Sequence, residues 1–207
     1  MRFPRKLLAL ALVCAISPLA ANAESQFTTG AGPIAASTNL DFQITVPKVL
    51  FLQVGTGTSM ATSATINQIA FSVPAANVGD GSVISATAGS GDLGNGQVTA
   101  RLIGNAGNIT FTSTTTGALN DGAAGDTISY SQIATAVAVD TSPTALPHPT
   151  LVDAATTTLT INPVAGKSVN RDAKWTYTYL NANIAAPGVY GGTNANNSRV
   201  TYGASMP

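Results

Sequence analysis

Residues 173–180 read Ala173-Lys174-Trp175-Thr176-Tyr177-Thr178-Tyr179-Leu180, and their alternation decides the fold class. Trp175, Tyr177 and Tyr179 fall on one face, with Lys174, Thr176 and Thr178 on the other. Period-two alternation of bulky apolar and polar residues is the signature of a half-buried strand, because successive side chains leave opposite faces of a sheet. The same period returns near the end of the chain. There Val200, Tyr202, Ala204 and Met206 face one way, and Arg199, Thr201, Gly203 and Ser205 the other.

Further runs of this kind lie upstream. Leu40, Phe42, Ile44 and Val46 share one face of a strand expected over 40–46, which Pro47 ends because it has no N–H to donate. Val49–Val54 forms a denser apolar strand. Strands are also expected over 64–73, 82–87, 97–103, 108–114, 127–138, 155–162, 173–180 and 198–206. Gly-Asp, Asn-Asp-Gly and Gly-Asn-Gly clusters between them suit turns, since these residues tolerate positive φ. β-branched runs and frequent glycines oppose helices. The expected fold is all-β, a single antiparallel β-sandwich over residues 38–207, preceded by a flexible leader over 24–37.

The first residues read as a secretory signal over 1–23. Arg2, Arg5 and Lys6 form a charged start, Leu7–Ile16 a short apolar core, and Ala21-Asn22-Ala23 a small-residue cleavage site. The apolar run is shorter than the ~20 residues a membrane span needs. The one cysteine, Cys14, lies inside the signal, so the exported chain is expected to hold no disulfide. The whole chain balances nine basic against nine acidic side chains. Loss of three basic residues with the signal leaves a mildly acidic product, a poor partner for nucleic acid.

Catalytic chemistry needs convergent titratable groups, and few are present. His148 is the single histidine, set between Pro147 and Pro149, and reads as an exposed loop residue. Neither a His/Cys/carboxylate cluster nor a nucleophile-elbow pattern accompanies it. Asp80, Asp92, Asp121 and Asp126 sit beside glycines and read as turn residues; calcium binding is the alternative. Gly89–Gly96 lacks the lysine of a phosphate loop. No enzymatic activity, cofactor or metal is expected. Trp175, Tyr177 and Tyr179 have two readings: sandwich core, or a flat aromatic platform that stacks on sugar rings.

The sequence Gly188-Val189-Tyr190, followed by the alternating strand through Val200 and Tyr202 to Met206, resembles the ends of bacterial fimbrial subunits. That resemblance implies an incomplete immunoglobulin-like, pilin-like sandwich. It also implies a periplasmic chaperone that guards an exposed groove, an outer-membrane usher, and a strand donated by the next subunit. On this analogy Val200, Tyr202, Ala204 and Met206 line the groove and meet the chaperone. The leading expectation is therefore a non-enzymatic structural subunit of a surface fibre (fimbria or pilus) or adhesive matrix. It would be exported through the periplasm and assembled with other subunits by strand addition. The alternative is a secreted, self-complete sandwich that binds a glycan.

Overall fold

The computed structural model describes residues 25–123 and 125–207. The expected signal over 1–23 lies outside the described residues. The chain divides into two units, Met1–Val46 and Pro47–Pro207. The division falls after Val46, whereas the sequence reading began the sandwich at residue 38.

In the first unit, residues 25–46 contain no strand. The expected strand over 40–46 is corrected here: its residues form no ladder, and the four apolar side chains are open to solvent. Leu40, Phe42, Ile44 and Val46 are 77%, 85%, 86% and 72% exposed. Their alternation is real, but nothing buries the apolar face.

Among the described residues, the second unit holds ten strands and two single 3-10 turns, Ala75–Asn77 and Tyr130–Gln132. One antiparallel sheet begins with β1 (Leu50–Val54), which pairs with β3 (Gln97–Gly104). β3 in turn pairs with the long β9 (Val169–Tyr179). β2 (Ile84–Ser85) extends the β3 side of β9, and β7 (Ile133–Ala138) takes its other side. The second sheet runs β10–β4–β8, with β4 over Ile109–Thr114, β8 over Thr156–Ile161 and β10 over Thr201–Ser205. A short hairpin joins β5 (Leu119–Asn120) to β6 (Thr127–Ile128). The all-β, antiparallel expectation is met.

Alternation explains which residues meet between the sheets. β3 sends Val98, Ala100 and Leu102 inward, and β9 sends Val169, Ala173, Trp175 and Tyr177. From the other sheet come Ile109 and Phe111 of β4 and Ile161 of β8. Phe111 stacks at 6.1 Å from Trp175 and at 6.2 Å from Tyr202, an offset aromatic ladder through the centre. The opposite faces of β4, β8 and β10 are rich in threonine, which suits a solvated pleat.

Several strand expectations were too generous: 82–87 keeps only Ile84–Ser85 and a bridge at Ala86, and 198–206 shortens to Thr201–Ser205. Over 64–73 only Phe71 forms a bridge, to Ala86, and the rest runs extended without a ladder. The run 127–138 is broken by the turn at Tyr130–Gln132, capped by Ser129. The entry into β1 is set by one side chain. Asn105 accepts from the Val49 amide at 2.8 Å and donates to the Pro47 carbonyl at 2.7 Å, holding the backbone that proline leaves short of a donor.

Candidate functional site: an open strand edge over an aromatic groove

β10 is an edge strand. One side pairs with β4 from Thr201↔Thr114 to Ser205↔Thr110, and the other has no ladder partner among the described residues. β1 is likewise the terminal strand of its sheet. A groove of about 1160 Å³ reaches β1 and the start of β10, at Thr201 and Tyr202. Its lining includes Leu52 and Val54 of β1, Ile69 and Phe71 of the extended run, Tyr177 of β9 and Tyr202 of β10. Leu52, Val54, Ile69, Phe71 and Tyr202 are only partly buried although they pack on the core. An unpaired strand edge beside apolar side chains is a template for another strand.

The expected groove residues divide by alternation. Tyr202, Ala204 and Met206 turn inward and pack against the core, while Thr201 and Ser205 face solvent. Val200 lies just before β10 and lines the groove. Trp175, Tyr177 and Tyr179 all lie in the interior, and Trp175 is 0% exposed. The Trp175 indole N–H donates to the Leu146 carbonyl at 2.9 Å, so its polar end is satisfied inside. Trp175 and Tyr177 belong to the core cluster, and Tyr177 and Tyr179, though buried, also reach the groove wall.

His148 corrects the sequence reading. It is not an exposed loop residue; it is half-buried against β9 and β10. Its Nε2 lies 2.7 Å from the Tyr202 hydroxyl and 3.1 Å from that of Tyr177, and the two hydroxyls are 3.0 Å apart. The ring meets Trp175 edge-on, 4.6 Å between centroids. Burial pulls the His148 pKa down to about 4, against the weaker opposing effect of a hydrogen bond with the Pro149 backbone. Burial pushes the Tyr177 and Tyr202 hydroxyls well up, so both stay neutral. Sequence offered no route to this trio, because its members lie 29 and 54 residues from His148.

The loop that delivers His148 is anchored by Asp172 on β9. Burial opposes its charge, but hydrogen bonds from Thr141 and Ser142 outweigh that and hold its carboxyl well below the usual carboxylate range. The amides of Thr141 and Ser142 donate at 2.9 and 2.8 Å, the Thr141 hydroxyl adds a short bond, and Arg101 pairs at 3.3 Å. Leu146 then returns its amide to the Asp172 carbonyl at 3.0 Å.

The loop aspartates bond chiefly to nearby residues, and Asp80 also accepts from the Asn181 side-chain amide at 3.2 Å. Asp80 accepts from the amide and hydroxyl of Ser82, Asp92 from the Thr99 amide, and Asp121 from the Ala123 amide. No group of three or more His, Cys, Asp or Glu side chains gathers among the described residues to hold a metal. No helix among them is long and apolar enough to cross a membrane. The chain matches no protein-family model, no curated protein and no solved structure.

Proposed function

We propose that this protein is a structural subunit of a bacterial surface fibre or adhesive matrix, assembled by strand addition. One observation carries the reading: the same chain holds an exposed alternating apolar segment and an open strand edge beside a groove whose lining mixes apolar and polar side chains. Leu40, Phe42, Ile44 and Val46 supply the segment, and β10 with Tyr202 supplies the edge. Four side chains left in water forgo about 1.5–3 kcal/mol each relative to burial. Seating residues 40–46 of one copy along β10 of another would recover that, and main-chain hydrogen bonds along the edge would set direction and register.

The sandwich is then of the incomplete, pilin-like kind, exported through the periplasm to the cell surface. A periplasmic chaperone and an outer-membrane usher are its proposed partners, since an open edge needs cover before assembly. The donor differs from the leader over 24–37, which offers mainly Phe27 and Ile34.

The test is an unboiled denaturing gel of surface material from cells carrying the natural chain or the Phe42→Asp, Ile44→Asp double variant. Both positions are solvent-exposed, so the variant should fold within about 0.5 kcal/mol of the parent. The reading predicts a ladder that boiling collapses, present in the parent and lost in the variant. A ladder that survives both substitutions would overturn it.

A further inference from the structure

We propose that the His148–Tyr177–Tyr202 trio is an acid-sensitive latch on β10, so that acid loosens a strand held in the groove. The inference rests on the strand-addition reading above and adds its control. Its basis is geometric. Tyr202 is both the second residue of β10 and a groove-lining side chain, and its hydroxyl is hydrogen-bonded to the only histidine in the chain.

With Nε2 as acceptor, the neutral ring completes a short chain: Tyr177 hydroxyl to Tyr202 hydroxyl to Nε2. The distances of 3.0 and 2.7 Å suit both bonds. A proton added at Nε2 turns that atom into a donor. One of the two hydroxyl protons is then left without an acceptor inside the trio, whichever way the Tyr177–Tyr202 bond runs. The new charge also lacks compensation. The titratable groups that face His148 are Tyr177 from β9 and Tyr202 from β10; Trp175 is the third ring against it. No carboxylate or cation forms a hydrogen bond, ion pair or ring contact with the imidazole among the described residues. Burial already holds the pKa near 4, so the neutral, latched form dominates at neutral pH. An unpaired buried charge beside β10 favours whatever motion of that strand lets water reach the ring.

The experiment uses multimers of the full chain, natural and His148→Gln, held at steps from pH 7 to pH 4 before an unboiled denaturing gel. In parallel, the imidazole proton resonance of the natural protein is followed by NMR, unambiguous because the chain has one histidine. The expected result is loss of the natural ladder between about pH 6.5 and about 4, a His148→Gln ladder that holds across that window, and a resonance that titrates near the low end. Ladders from both chains with the same acid loss would sink the latch alone and leave strand addition standing. So would a resonance midpoint at the ordinary histidine value. No ladder from either chain at neutral pH would instead remove the strand-addition reading, and its control with it.

Discussion

The Tyr202 hydroxyl lies 2.7 Å from His148 Nε2, joining an edge strand to a loop that Asp172 ties to β9. The contact connects the open side of the groove to the centre of the core, because Tyr202 also stacks on Phe111 and packs at 5.6 Å against Trp175. A change at His148 is therefore felt by β10, and a change in β10 by the core.

The first prediction concerns folding stability against pH. His148 has a folded pKa of about 4 against an ordinary 6.5, so the unfolded chain binds the proton more tightly. Its contribution is fully present above about pH 6.5, falls as pH drops through that window, and levels off below about 4. The shift corresponds to roughly 3 kcal/mol at most. Urea midpoints at pH 7 and pH 4.5 should differ for the natural chain and much less for His148→Gln. Asp172 acts elsewhere: its carboxyl is depressed, so its contribution is lost only as pH falls below the ordinary 3.8.

Trp175→Ala should cost on the order of 3–5 kcal/mol, the range for truncating a large buried aromatic. The indole is fully buried between β9, Phe111 and Leu146, and the truncation also frees the Leu146 carbonyl. Denaturant unfolding of the purified variant measures it. A cost below about 1 kcal/mol would contradict the placement of this ring in the core.

Asp172→Ala should destabilise by about 3 kcal/mol, because it strands the Thr141 and Ser142 amides and leaves Arg101 without its carboxylate. The loop 141–149 should loosen first, seen as faster amide exchange at Thr141, Ser142 and Leu146. Unchanged exchange there would show that Asp172 does not anchor the loop.

Strand β9 and its neighbours were legible in the sequence because both faces of each strand have distinct environments within one chain, which is what alternation encodes. The segment 40–46 has an equally clean alternation and forms no strand. A period of two states that one face wants burial; it does not say which chain provides the cover. Residues 64–73 misled for a related reason, since apolar side chains such as Ile69 and Phe71 pack on the core from an extended backbone that lacks ladder partners. His148 was illegible. Its flanking prolines mark a loop, and only the pairing of β9 and β10 with their sheets brings Tyr177 and Tyr202 to it.

The most direct test of the central claim is amide exchange along β10 in the unit 47–207, which carries its own core, with and without a peptide of residues 38–47. Strand addition predicts that the peptide binds, slows exchange at amides on the free side of Thr201–Ser205, and raises the melting temperature. The Phe42→Asp, Ile44→Asp peptide should do none of these. Unchanged exchange on β10 with saturating natural peptide would contradict the account.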